Sequence, residues 1–346
     1  MIGVPAREVA VFTRLFATMI AAGLPLVQSL NILARQQKNR TFRRVIREMV
    51  RDVEAGDTLA GAMGRHRKVF SELSVSLVAA GEAAGALDTI LARLADFLEK
   101  HDALARKMKA ALIYPAVIVG VAIPAVAVLL VFVIPTFEEM FATAGVPLPL
   151  PTRTVIAASG AVQDRWWALL GALAAFAALL RYARGTRGGR LATDRLLLAV
   201  PLLGDLLRKA AVSRFTRTLG TLVASGVSIL RGLEVTARTA GNRVIHDAVM
   251  RSRASIAGGA TIARPLEESG AFTPMAVRMV EVGEQTGALD EMLARVADFY
   301  EQEVDTALEA AVAMVEPVMI VVLGVVVGGV IVAMYLPIFE MVTAVG

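Results

Sequence analysis

Between residues 8 and 22 the apolar side chains Val9, Phe12, Leu15, Phe16, Met19 and Ile20 recur at three- and four-residue spacing, which predicts an amphipathic helix. Gly23-Leu24-Pro25 ends it, because glycine suits a left-handed cap and proline cannot continue the helix. The same period predicts a second helix through Val27, Leu30 and Leu33. A third is expected over 41–53, where Phe42, Val45, Ile46, Met49 and Val50 oppose Arg43, Arg44, Arg47 and Arg51, and Gly56 closes it. Short helices follow over 58–63 and 71–80. Leu87, Ile90, Leu91, Leu94, Phe97 and Leu98 then open another helix that Asp88 can cap. Leu104, Met108 and Leu112 carry its period onward, so one continuous or gently kinked helix is expected from about 88 to 134, roughly 70 Å at 1.5 Å per residue. No segment sustains the alternation of a strand. The water-facing part therefore reads as a small helical bundle.

The pattern then repeats. Gly81-Glu82-Ala83-Ala84-Gly85-Ala86-Leu87-Asp88, followed by Leu91-Ala92-Arg93 and Ala95-Asp96-Phe97, returns as Gly283-Glu284-Gln285-Thr286-Gly287-Ala288-Leu289-Asp290, Leu293-Ala294-Arg295 and Ala297-Asp298-Phe299. Phe12-Thr13-Arg14 returns as Phe215-Thr216-Arg217, and Gly56-Asp57-Thr58 as Gly259-Ala260-Thr261. Each copy closes on an apolar run, ending at Ile134-Pro135-Thr136-Phe137-Glu138 and at Leu336-Pro337-Ile338-Phe339-Glu340, and Tyr114-Pro115 near the start of the first run corresponds to Glu316-Pro317 in the second. A nearly fixed offset over this length is an internal duplication. The second bundle should share the fold of the first, with Thr273-Pro274 starting the helix that Ser71 starts in the first copy.

From Ala110 to Pro135 there is no charged side chain, and the run exceeds the roughly 20 residues that cross a hydrocarbon core. Pro115 and Pro124 are tolerable there where neighbouring helices satisfy the freed carbonyls. Arg106, Lys107 and Lys109 precede the run and Glu138 and Glu139 follow it, which places residues 1–109 in the cytoplasm. Residues 136–164 should form a periplasmic loop, extended through Val146-Pro147-Leu148-Pro149-Leu150-Pro151. The stretch from Trp166-Trp167 to Arg181 fits either a short crossing helix or a helix lying on the membrane. The duplication selects the crossing at 165–183: two copies can keep one orientation only if the chain returns between them. Residues 184–310 then hold the second bundle behind a basic linker over 184–195, 311–337 the last span and 338–346 a short periplasmic tail. The fold class is all-α, a polytopic membrane protein with two duplicated cytoplasmic helical-bundle domains and three transmembrane helices.

Composition agrees with this layout. The 346 residues are 56% hydrophobic and 19% charged, with a mean hydropathy of +0.62, too apolar for a soluble chain and too charged to lie wholly in lipid. The net charge of +5 places its arginines beside apolar segments, where topology and anionic lipid explain them, so no direct nucleic-acid contact is expected. No cleavable signal peptide is visible. Cysteine is absent, which excludes a thiolate metal site and a cysteine nucleophile. His66, His101 and His246 are scattered and predict no metal site. Gly185-Thr186-Arg187-Gly188-Gly189 lacks the lysine and the preceding strand of a phosphate loop, and no nucleophile elbow accompanies a β-pattern. No catalytic residue and no cofactor are predicted.

Three sets of residues stand out. Gly81, Glu82, Gly85, Leu87 and Asp88, with Gly283, Glu284, Gly287, Leu289 and Asp290, form either a structural turn or an exposed acidic contact for a partner. Tyr114, Pro115, Glu316 and Pro317 mark the starts of the spans; Glu316 is either a carboxylate working at membrane depth or one resting at the cytoplasmic interface. Gly324 and Gly328 give a small-residue spacing that permits close helix packing, including between copies of the chain. A secondary transporter with internal repeats and a membrane-anchored adaptor of an unrelated assembly are the competing classes.

Taken with Ala-Ala-Gly-Leu-Pro-Leu at 21–26, the paired Gly-Glu-x-x-Gly-x-Leu-Asp motifs resemble the inner-membrane platform proteins of type IV pilus and type II secretion machines, over nearly the whole chain. The resemblance implies a non-enzymatic, oligomeric scaffold in a bacterial or archaeal-like inner membrane. It implies contacts with a cytoplasmic hexameric ATPase, with pilin or pseudopilin subunits and with other inner-membrane components of the machine. Members of that family commonly carry a further stretch before the first helix, whereas Phe12-Thr13-Arg14 begins almost at once here. Either the chain starts late or it is a shorter member.

Overall fold

A computed structural model describes residues 3–111, 113–144, 149–200 and 203–345, and among these no strand occurs. In chain order the helices are α1 (Ala6–Ala21), α2 (Leu26–Gln36), α3 (Arg40–Glu54), α4 (Leu59–Arg65), α5 (Glu72–Ala84) and α6 (Leu87–Ala111). Next come α7 (Ile113–Val128), a π-helical turn (Leu129–Val133), α8 (Ile134–Ala144), α9 (Leu150–Gly185) and α10 (Arg187–Ala199). The second copy comprises α11 (Leu203–Ala224), α12 (Ile229–Thr239), α13 (Arg243–Ala257), α14 (Ala263–Glu268), α15 (Pro274–Thr286) and α16 (Leu289–Val345).

Local chemistry starts these helices. Asn39 Oδ1 accepts the N–H groups of Thr41 and Phe42 at 3.0 and 3.2 Å ahead of α3, whose Phe42, Val45, Ile46, Met49 and Val50 are buried. Ser71 Oγ accepts from Ser74 at 3.2 Å, and Thr273 Oγ1 from Ala276 at 3.4 Å with Pro274 opening α15.

The chain divides into two compact units, Met1–Lys107 with Asp194–Ala307 and Met108–Thr193 with Leu308–Gly346. Both bundle copies lie in the first unit. Phe12, Phe16, Phe42 and Phe70 cluster at the heart of the first copy, Phe12 meeting Phe42 edge-on at 5.2 Å. Phe215 and Phe272, 4.5 Å apart, centre the second. The copies are not separate bodies. Leu222 of α11 and Val235 of α12 are buried in the core of the first copy, and Glu72 of α5 pairs with Arg231 and Arg238 of α12 at 3.3 and 2.8 Å.

In the second unit, Pro135 has no N–H to return to the preceding turn, and the helix widens to a π turn at Leu129–Val133. The Leu130 carbonyl accepts instead from the Ser159 hydroxyl of α9 and from Gln163 Nε2 at 3.4 Å, the kind of neighbour that makes a broken turn tolerable away from water. Thr152 Oγ1 donates to the Ala333 carbonyl of α16 at 2.6 Å. Two helical stretches among the described residues are long and apolar enough to cross a membrane, Leu87–Phe137 and Leu289–Leu336. The expected uninterrupted helix from 88 to 134 passes through Leu112, which lies outside the described residues.

Several local expectations change. Gly81 and Glu82 belong to the last turns of α5, so the turn begins only at Gly85. Asp88 is inside the first turn of α6 and not its cap, because the left-handed Gly85 leads the chain into a helix that begins at Leu87. Leu150 and Pro151 begin α9 instead of continuing an extended loop, since proline costs nothing where the helical N–H is unpaired anyway; 145–148 lie outside the described residues. The supposed linker is helical from Arg187. There Asp194 Oδ2 accepts the Arg243 N–H at 2.7 Å and helps start α13. The supposed tail continues α16 as far as Val345.

Candidate functional site

The two Gly-Glu-x-x-Gly-x-Leu-Asp motifs do the same physical work in each copy. Gly81 is buried, and a Cβ there would come within 3.0 Å of Ile90 Cβ; at Gly283 it would come within 2.9 Å of Leu289 Cα and 3.1 Å of Met292 Cβ. Only hydrogen in place of a side chain lets α5 cross α6, and α15 cross α16, this closely. Gly85 (φ +66°) and Gly287 (φ +73°) supply the left-handed cap that reverses the chain, and the Ala86 N–H returns to the Gly81 carbonyl at 2.9 Å. Leu87 and Leu289 pack against their respective cores.

Glu82 turns inward. Its carboxylate accepts the N–H groups of Leu59 and Ala60 at 2.6 and 3.0 Å, the first two donors of α4, while Thr58 Oγ1 accepts from Gly61 at 2.9 Å. Glu284 repeats this on Ile262, at 2.8 Å, and on Ala263, at 3.3 Å, at the start of α14. A carboxylate on helix N–H groups is a charge-assisted contact. It anchors two helices too short to hold themselves. Asp88 and Asp290 remain exposed in the first turns of α6 and α16.

A second repeated contact ties the first helix of each bundle to its last. Arg14 Nε and Nη2 reach Glu99 at 2.8 and 2.7 Å, and Nη2 also meets Asp96. Arg217 Nε reaches Glu301 at 2.8 Å, and its Nη2 meets Asp298. The Arg14 hydrogen bond holds the Glu99 carboxyl below its ordinary range. Burial pushes Asp298 upward, but the hydrogen bond and charge of Arg217, together with the charge of Lys100, leave it below its ordinary value. The signal for these pairs was present in the sequence, in Phe-Thr-Arg and Ala-Asp-Phe recurring with the motif, but periodicity assigns no partner to a charge.

Between the copies, Lys100 of α6 lies 3.3 Å from Asp298 and 3.6 Å from Glu301 of α16. Lys107 meets Asp305 seven residues further along both helices, so within this unit α6 and α16 run in parallel register. Arg93 donates to the Ala224 carbonyl at the end of α11.

The remaining candidates are not brought together with these. Tyr114, Glu316 and Pro317 are exposed and Pro115 half-buried. An added Cβ at Gly324 or Gly328 would meet nothing within 4 Å. Among the described residues no cluster of three His, Cys, Asp or Glu could hold a metal ion.

These features define a class: a protein helical throughout its described residues and built from one duplicated unit, each copy a helical bundle whose final helix leads into a membrane-length apolar run. The model of the family described as type II secretion system (T2SS), protein F, matches the chain twice, at residues 12–135 and 215–337, and the chain belongs to that family. Among its relatives, the type IV pilus assembly protein PilC of Myxococcus xanthus is 49% identical over 99% of this chain and 82% of its own length. The PilC of Thermus thermophilus is 43% identical over 97% of this chain and 83% of its own. The type II secretion system protein F of Pseudomonas aeruginosa is 34% identical over 99% and 85%.

Proposed function

We propose that the chain is the inner-membrane platform of a type IV pilus machine, a scaffold that couples a cytoplasmic hexameric ATPase to the assembly or disassembly of pilin subunits. The pilus assignment is favoured over secretion by the identities, 49% to a pilus assembly relative against 34% to a secretion relative. No catalytic step is assigned to the chain.

The observation that carries this reading is the compact unit made jointly by residues 1–107 and 194–307, with side chains of the second copy inside the core of the first. Two bundles sharing a core must lie on one side of the bilayer. That supports three crossings, at 110–135, 165–183 and 311–337, with both bundles cytoplasmic beside Arg106, Lys107 and Lys109. Helix α16 runs from Leu289 to Val345 in one piece, and a helix resists bending better than a loop does. Motion imposed on the bundles can therefore reach the spans. Glu82 and Glu284 serve the bundles themselves, which leaves Asp88 and Asp290 for contact with partners. Gly324 and Gly328 present a bare helix face for a second copy or another inner-membrane component.

Short runs of glycines inserted after His101 in α6 and after the matching Glu303 in α16 test the coupling. Each variant should still reach the membrane and fold but assemble no pilus fibres. Normal fibre output from both would contradict mechanical transmission through these helices.

A further inference from the structure

Within the first unit a cleft of about 210 Å³ opens between α6, α11 and α16. Phe97 and Leu104 give it an apolar flank, and four cations, Lys100, Lys107, Arg214 and Arg217, face two carboxylates, Glu301 and Asp305. Arg217 and Lys100 engage Glu301 and Asp298, and Lys107 engages Asp305. Arg214 is different. Its Nη2 donates to the Ala240 carbonyl at 3.3 Å, its Nε is buried without a hydrogen-bond partner, and no described carboxylate lies within ion-pair distance. Burial alone lowers its pKa. A desolvated guanidinium with no counter-charge is costly, and an anion in the cleft would offset that cost.

The duplication shows that the bundle does not need this arginine. The position matching Arg214 in the first copy is Val11, which is exposed. Lys100, His101 and Lys107 of α6 correspond to Gln302, Glu303 and Glu309 of α16. The cations of the cleft, Arg217 excepted, are therefore peculiar to one copy, and the divergence converges on one place. Partial burial and the Arg214 charge keep His101 below its ordinary pKa against the pull of Asp102.

Position along the chain indicates which anion. Lys107 precedes the charge-free run at Ala110 by three residues, and Asp305 precedes the second run at Ala311 by six, roughly 5 and 9 Å along a helix. That is the depth at which basic pockets meet anionic headgroups of the cytoplasmic leaflet. We propose that this cleft binds the phosphate diester of an anionic phospholipid headgroup, with Arg214 as its charge partner and Phe97 and Leu104 against the glycerol. This rests on residues 110–135 and 311–337 spanning the bilayer.

The test is a calorimetric titration of the purified full-length chain, in uncharged detergent, with dihexanoyl phosphatidylglycerol, dihexanoyl phosphatidylcholine and inorganic phosphate. The wild-type chain should take up phosphatidylglycerol at least about tenfold more tightly than either of the others. Arg214→Val, which copies the other bundle, should lose about tenfold of that affinity while melting no lower than wild type without lipid. Ala103→Glu, which puts a carboxylate at the cleft and removes no ion pair, should lose it as well. Undiminished phosphatidylglycerol binding in both variants, or equal binding of the two lipids, would overturn the proposal. Phosphate binding as tight as phosphatidylglycerol would overturn the lipid as its source. None of these outcomes bears on the platform reading, which stands or falls on topology and fibre output.

Discussion

The carboxylate of Glu82 accepts the backbone N–H of Leu59 at 2.6 Å across 23 residues of chain, and Glu284 makes the matching contact with Ile262. An acidic residue that the sequence places in either a structural turn or an exposed partner contact is thus the anchor of a short helix. Removing it leaves the first donors of α4 unpaired. Glu82→Ala should cost about 1–3 kcal/mol and Glu82→Gln, which keeps one acceptor, clearly less. Urea unfolding of the purified chain followed by circular dichroism measures both. Equal stability of all three proteins would show the contact to be incidental.

The arginine pairs should differ in weight. Arg217 is 16% exposed and Arg14 36%, so solvent screens the second far more. Arg217→Ala should destabilise by about 1–2 kcal/mol and Arg14→Ala by less than about 1 kcal/mol. The same unfolding measurement ranks them, and the reverse order would be a contradiction.

The same pairs set an acid limit. Glu99 and Asp298 have folded-state pKa values below their ordinary ones. Their contribution is therefore complete above the ordinary carboxylate pKa, about 4, and is lost as pH falls through the lower folded values. The melting temperature should be flat with respect to these groups at neutral pH and decline below about pH 4. In the Arg14→Ala, Arg217→Ala double variant that decline should be shallower. An identical slope in both proteins would remove these carboxylates from the explanation.

Much of this architecture could be read from residue patterns, for a physical reason: helical period and charge-free length are local properties. The buried face of α3 and the caps Ser71 and Thr273 fall where the pattern puts them. What the pattern could not supply was pairing. Glu82 and Leu59 meet only when α5 folds onto α4, and Leu222 enters the first core only when the two copies join. Helix ends differ from the pattern where a proline or glycine has two uses, as at Pro151 and Gly81. Only its neighbours in the fold set Arg214 apart from the other basic residues.

Close helix crossing at the motif glycines gives a fourth expectation. A Cβ at Gly81 would press on Cβ and Cγ1 of the buried, β-branched Ile90, and one at Gly283 on the Leu289 backbone, so neither neighbour can turn away without the backbone moving. Gly81→Ala and Gly283→Ala should therefore each cost about 1–3 kcal/mol. Gly324→Ala, with open space around it, should leave the stability of the isolated chain unchanged. Thermal melts of the three variants decide the order.

Because the chain contains no cysteine, single cysteines introduced at exposed positions can report the side of the membrane. Arg47→Cys samples the first bundle, Arg264→Cys the second and Leu150→Cys the segment between the first two proposed crossings. A membrane-impermeant maleimide added to spheroplasts should label Leu150→Cys alone, and all three positions should react after permeabilisation. Labelling of Arg47→Cys and Arg264→Cys from opposite sides would contradict a single cytoplasmic body built from both copies.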